Sequence, residues 1–124
     1  MEFVKVYSEL DVYQLSRQLS NEIFTLSKRF PKEETYSLTD QLRRSSRSIG
    51  AQIAEAWAKR KYEKHFISKL TDADGERQET QHWIETAHDC TYISEELSRK
   101  LIKQYISVGN MINSMINKSD SFCG

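Results

Sequence analysis

The chain is poor in the residues that break or cross-link structure, with one proline, four glycines and two cysteines among 124 residues. Two thiols, Cys90 and Cys123, make neither a disulfide framework nor a four-thiolate zinc site. So little proline and glycine excludes a collagen-like chain and the turn-rich pattern of an all-β domain. Long apolar runs are missing too. The longest stretch without a charged residue is Gln104–Asn117, 14 residues, against the roughly 20 that a membrane span needs. The opening Met1-Glu2-Phe3-Val4-Lys5 lacks the apolar core of a signal peptide, so a cytoplasmic protein without a membrane partner is expected. Net charge is also missing, because Lys+Arg and Asp+Glu are both 18. Polyanion binders are commonly basic overall, so a nucleic-acid role has to rest on local charge. What is present, 38% apolar and 29% charged residues, suits one soluble helical domain over 1–124.

Read at a period of 3.6, the apolar residues form four stripes. Val12, Leu15, Leu19, Ile23, Leu26 and Phe30 recur at steps of three or four, which predicts a helix over 8–29. Ser8 and Asp11 resemble a capping box before it and Pro31 stops it. Leu38, Leu42, Ser45, Ile49, Ile53 and Ala56 predict a second helix over 37–59, with Ser37 and Asp40 as another capping box. Phe66, Leu70, Ala73, Arg77, Thr80, Ile84 and Ala87 predict a third over 62–92. Leu97, Leu101, Tyr105, Val108, Ile112 and Met115 predict a fourth over 95–117, capped by Ser94. Residues 118–124 carry no periodicity and are expected to fray. Short connections between long amphipathic helices give an all-α, antiparallel up-down-up-down four-helix bundle, left-handed in its packing. Gly50 and Gly75 fall inside helices, where each costs about 1 kcal/mol relative to Ala. That cost is easiest to understand where another backbone passes closely.

The second helix carries more than its apolar stripe. Gln41, Arg44, Ser48, Gln52, Glu55 and Lys59 follow the same three-four rhythm along its flank, as for a second interface with a neighbouring helix or another copy. An ordinary solvated flank is the alternative. If helices two and three turn back near Lys61, residues equidistant from it approach each other. Ser48 then lies level with Asp74, and Arg44 level with Gln78. The arginines of one helix so meet the carboxylates of the other, and Glu79 faces the seam formed by Gln41, Ser48, Gln52 and Glu55. On this reading Glu55→Ala weakens assembly or thermal stability, whereas Arg60→Ala alters binding alone.

Residues 43–69 hold eight Lys/Arg (Arg43, Arg44, Arg47, Lys59, Arg60, Lys61, Lys64 and Lys69) against Glu55 and Glu63, a net of +6, so the rest of the neutral chain carries −6. Tyr62, His65 and Phe66 lie among these charges, and aromatic rings interleaved with basic residues suit stacking on unpaired bases. Arg43, Arg44, Arg47, Lys59, Arg60, Lys61 and Lys64 are therefore the candidates for contact with RNA or DNA. The alternatives are pairing with the third helix, or solvation of a turn. A scaffold that binds protein partners without nucleic acid also fits the neutral total charge.

Catalysis finds little support. Glu79-x-x-His82 and Glu85-x-x-His88 have the spacing of di-iron bundles, but both copies fall on one helix, about 120° apart, and cannot converge. Cys90 reads as a small core residue, and Cys123 lies in a tail that no scaffold positions. A glycine-rich phosphate loop, a Gly-x-Ser-x-Gly elbow and a His-Glu-x-x-His motif are all lacking. Trp57 and Trp83 read as core or interface anchors. No catalytic residue, cofactor, metal or small-molecule substrate is expected.

The runs Phe30-Pro31-Lys32-Glu33-Glu34, Leu38-Thr39-Asp40-Gln41-Leu42-Arg43-Arg44, and Ser48-Ile49 through Ile53-Ala54-Glu55 resemble the signature of the 23S rRNA intervening-sequence proteins, whose members also carry a ribosomal-protein name. Leu10-x-Val12-Tyr13, and Ala73-x-Gly75 with Glu79, match the same pattern, and the resemblance covers roughly residues 8–116. The chain departs from the family in having Gln52-Ile53-Ala54-Glu55-Ala56 for Asn-Ile-Ala-Glu-Gly, and Gly50 where proline is frequent. The resemblance implies an all-α bundle assembling into homo-oligomeric rings, pentamers above all, without an established catalytic activity. It also implies kinship with an accessory protein of diversity-generating retroelements, which binds reverse transcriptase and nucleic acid. RNA or a ribonucleoprotein is the partner class expected on that basis.

Overall fold

The computed structural model describes residues 4–124. Four long helices, α1 (Asp11–Ser27), α2 (Leu38–Ala58), α3 (Glu63–Asp89) and α4 (Glu95–Asn117), are followed by a short α5 (Ser119–Phe122), and no strand occurs among the described residues. Side-chain pairings set the topology. Tyr13 and Ser16 of α1 lie against Gly50 of α2, while Arg43 of α2 reaches back to Ser27. Ser45 and Thr80 bond across α2 and α3, and Arg77 of α3 lies on Gly109 of α4. Each consecutive pair is therefore antiparallel, and α1 against α4 closes the bundle. Leu19, Ile23, Leu42, Ile49, Ile53, Phe66, Leu70, Ile84, Leu101, Tyr105, Val108 and Ile112 fill the interior, all essentially without solvent contact. These are the residues of the four periodic stripes.

The helix ends depart from expectation in instructive ways. Helix α1 begins at Asp11, because Glu9 Oε1 accepts from the amides of Lys5 (2.7 Å) and Val6 (3.0 Å) and closes a 3-10 turn over Tyr7–Glu9. Ser8 caps nothing in α1, whose N-cap is Leu10. The Ser37–Asp40 box is also absent. The Ser37 hydroxyl donates to Glu34 Oε1 (2.6 Å), and that same oxygen faces the Leu38 amide, so Glu34 does the capping from the preceding 3-10 turn, Lys32–Glu34. Glu34 Oε2 also accepts from the Tyr92 hydroxyl (2.9 Å). The hydrogen bonds from Ser37 and then Tyr92 hold the Glu34 carboxyl below its usual range, and Tyr92 is pushed up to about 12. Ser94 caps α4 as expected, its Oγ accepting from the Leu97 amide at 3.1 Å.

Helix α3 stops at Asp89, three residues short of the expected 92, because Thr91 takes a left-handed φ of 62°. The Tyr92 amide then donates to Ala87 O and the Thr91 amide to His88 O, both at 2.9 Å, which is a Schellman ending. This turns Cys90 outward, and it is exposed rather than a core residue. The tail does not fray. Phe122 of α5 lies 5.9 Å from the Phe66 ring and 6.4 Å from the Trp57 ring, and Ser119 Oγ donates to Glu63 Oε2 at 3.0 Å. Two aromatic faces hold a segment that has too few apolar residues to show a period. The close passage of another backbone expected at Gly50 and Gly75 is found at neither, and the tightest contact is with a side chain at Gly109. A Cβ at Gly109 would meet the Arg77 guanidinium at 2.8 Å, whereas Gly75 has open space and Gly50 ordinary contacts.

Candidate nucleic-acid interface

The polar flank of α2 lies along α3 of the same chain. Glu55 Oε2 is 2.9 Å from Lys69 Nζ, and Arg44 Nη2 is 3.6 Å from Glu79 Oε2. Hydrogen bonding to Lys69 lowers the Glu55 pKa and raises that of Lys69. Arg44 also donates to Gln41 Oε1 at 2.9 Å, and Glu79 accepts from the Trp83 indole at 3.1 Å. The register is one to three residues away from that expected: Arg44 meets Glu79, Glu55 meets Lys69 and Ser45 meets Thr80, where equal spacing about Lys61 puts Arg44 level with Gln78. Ser48 and Gln52 are half-buried in the same seam. Gln52 Oε1 and Glu76 Oε2 are buried with no hydrogen-bond partner among the described residues. Burial, and secondarily the charge of Glu79, raises the Glu76 pKa.

The seven basic candidates divide into two groups. Arg43 turns to α1, donating from Nε to Ser27 Oγ at 2.8 Å and stacking on the Phe24 ring at 4.7 Å. Arg47 lies over the same ring at 5.3 Å. Arg60 stacks on Trp57 at 3.6 Å and donates to Trp57 O at 2.9 Å, so its side chain carries packing as well as charge. Together with Arg44, these arginines are held by their own chain. Lys59, Lys61 and Lys64 are different. All three are exposed at the α2–α3 turn, and no carboxylate comes within 4.0 Å of them among the described residues.

At this turn Tyr62 is 58% exposed and lies 5.5 Å from the exposed His65 ring. Lys61 Nζ stands 5.9 Å from the Tyr62 centroid. Phe66, read from sequence beside them, is instead fully buried. Two flat rings and three mobile ammonium groups on one convex tip can take up a base and its neighbouring phosphates. The reading of the sequence missed Phe24, which collects Arg43, Arg47 and Lys28 on one ring. It also missed Tyr7, Tyr13 and Arg17, which line a groove beside Arg47. The i, i+4 spacing of Tyr13 and Arg17 was the available signal. Among the described residues no three His, Cys, Asp or Glu side chains are placed to hold a metal ion. Among the described residues no helix is long and apolar enough to cross a membrane.

Comparison with known proteins bears on the same segments. The family model described as 23S rRNA-intervening sequence protein matches residues 8–114, nearly the range over which the sequence resembles that family. A solved protein of unknown function from the S23 ribosomal protein family of Bacteroides thetaiotaomicron is similar in structure, with a TM-score of 0.77 and 29% identity over 86% of this chain and 95% of that one. No curated protein matches the chain.

Proposed function

We propose that this chain, which belongs to the 23S rRNA-intervening sequence protein family, is a non-catalytic RNA-binding protein that engages RNA with the α2–α3 tip. One observation carries the reading: Lys59, Lys61 and Lys64, free of carboxylate partners among the described residues, surround the exposed Tyr62–His65 pair. Unpaired or looped RNA is the favoured form, because stacking on a tyrosine needs a base out of its helix. In a ring of copies, as the family resemblance leads one to expect, the tip would recur around one rim, and a modest patch would become a continuous one.

Fluorescence anisotropy with an rRNA stem-loop and with duplex DNA, at low and high salt, tests the proposal. Affinity for the stem-loop is expected to fall as salt rises, each neutralised phosphate contributing about 0.7 to the log–log slope on single strands. Replacing Lys59, Lys61 and Lys64 by Ala is expected to lower affinity at least tenfold and flatten the slope. Tyr62→Ala is expected to weaken loop RNA more than duplex. Absence of binding at low salt would end the proposal. Protein partners that survive nuclease in a pull-down, with no RNA recovered, would favour a protein scaffold instead.

A further inference from the structure

Between α1 and α2 runs a groove of about 440 Å³ lined by Tyr7, Tyr13, Arg17, Asn21, Arg47 and the small residues around Gly50. That volume falls within the range of small-molecule sites, about 300–1,000 Å³. Its lining is unusual for this neutral chain, because among the described residues it contains two arginines and no Asp or Glu. Three other grooves lined by basic residues each carry at least one acid: Glu22 with Arg29 and Lys100, Asp40 with the α2 arginines, and Glu34 and Glu79 with Arg44. The hollow that adjoins it across Tyr13 and Arg17 is acid-free as well.

Both guanidinium groups are positioned by aromatic rings. Arg17 Nη1 donates to the Tyr13 hydroxyl at 3.1 Å, and Arg47 lies over Phe24 at 5.3 Å. Neither has a carboxylate within 4.0 Å among the described residues. The floor competes weakly for them. Ser16, Ser20 and Ser46 donate their hydroxyl protons to carbonyls of their own helices, to Tyr13 O, Arg17 O and Arg43 O respectively. The donors left for a ligand are thus the two guanidiniums, the Asn21 amide and the hydroxyls of Tyr7 and Tyr13. Two exposed positive charges lining one hollow repel each other until an anion enters. A carboxylate neutralises one of them, whereas a phosphate monoester, with a charge of about −1.5 to −2 at neutral pH, answers both, and guanidinium forks suit its oxygens. At the mouth, Tyr7 is 40% exposed and meets Tyr13 edge-on at 5.0 Å, which leaves ring surface for a flat heterocycle.

We propose that this groove binds a nucleotide through its terminal phosphate monoester, with the phosphoryl group between Arg17 and Arg47 and the base against Tyr7. The shared chemistry is a 5′-phosphorylated nucleoside, which a free nucleotide and the 5′ end of a strand both present. The proposal stands independently of the α2–α3 tip, since none of its residues belongs to the tip.

The test is calorimetric titration with AMP, inorganic phosphate and adenosine, beside anisotropy with a short labelled oligonucleotide bearing a 5′-phosphate or a 5′-hydroxyl. AMP is expected to bind more tightly than phosphate, and adenosine not measurably. Arg17→Gln and Arg47→Gln are each expected to weaken AMP at least tenfold while leaving the melting temperature of the unliganded protein within a few degrees. Tyr7→Ala is expected to weaken AMP but not inorganic phosphate. Preference for the 5′-phosphorylated strand over AMP would identify a strand end as the source, and AMP binding without that preference a free nucleotide. Alanine at Lys59, Lys61 and Lys64 is expected to leave AMP affinity unchanged, which separates this site from the tip. No AMP binding at millimolar concentration, or AMP binding insensitive to both arginine variants, would overturn the proposal.

Discussion

At the residue scale, the molecule keeps a few side chains in places that cost stability. Thr91 is the sharpest case: it is β-branched and holds φ at 62°, a region that costs an L-residue with a Cβ about 1 kcal/mol or more. Glycine removes the conflict while preserving the two amide bonds that end α3. Thr91→Gly is therefore expected to stabilise by about 0.5–1 kcal/mol in urea unfolding, despite the loss of the hydroxyl bond to Cys90 O. Glu76 is a second case. Its Oε2 is buried without a partner, and burial raises its pKa. A raised carboxyl pKa means that the folded state binds the proton better than the unfolded state does. Stability is then lost as pH rises through the folded value and regained as it falls. Glu76→Gln is expected to raise the melting temperature at pH 7, and the gain is expected to vanish as the pH drops toward 4. Arg60 reverses an expectation: stacked on Trp57 at 3.6 Å, it has a structural role, so Arg60→Ala should lower stability by about 0.5–1 kcal/mol instead of altering binding alone. Glu55, 55% exposed in its pair with Lys69, should matter less to melting than the sequence suggests.

At the scale of elements, the interior was legible and the ends only in part: α4 starts at its Ser94 cap and ends at Asn117 as expected, while other termini moved. A helix that buries one stripe must repeat apolar residues every three or four positions, so Leu19, Ile49, Leu70 and Val108 declare their faces. Along the polar flank of α2, Arg44 meets Glu79 and Glu55 meets Lys69, one and two residues from the register that equal spacing about Lys61 gives. Helix termini depend on single hydrogen bonds that many residues can make. Ser37 carried the right side chain for a cap, yet Glu34 took the role because a 3-10 turn placed it there. The tail was opaque because its anchoring rests on one ring, Phe122, without periodic support. Phe122→Ala is expected to destabilise by about 1–3 kcal/mol and to unpin α5 from Trp57 and Phe66. An increase in hydrogen exchange confined to residues 118–124 and the α2–α3 turn would report it. Within the candidate site, charge count alone could not sort the basic residues, because Phe24 and Trp57 hold arginines by their ring faces and leave the lysines to solvent.

At the scale of the whole molecule, a chain of zero net charge carries a net +6 over residues 43–69. On the proposed reading, the lysines of the α2–α3 turn steer a polyanion to the tip. If copies assemble into a ring, light scattering is expected to give a multiple of 14.6 kDa, unchanged by alanine at Lys59, Lys61 and Lys64. An RNA long enough to touch two tips should then bind ~100-fold or more tightly than one that reaches a single tip. A mass of one chain, with equal affinities for short and long RNA, would limit the tip to acting alone. The stacking of Arg60 on Trp57 has a practical corollary. Indole emission responds to the charges around it, and this indole lies directly beneath the tip, while the other, Trp83, is bonded to Glu79 on α3. A Trp83→Phe chain would carry a single built-in optical reporter beside the lysines, so the arrival of RNA could be timed by stopped-flow spectroscopy with no dye attached to either molecule.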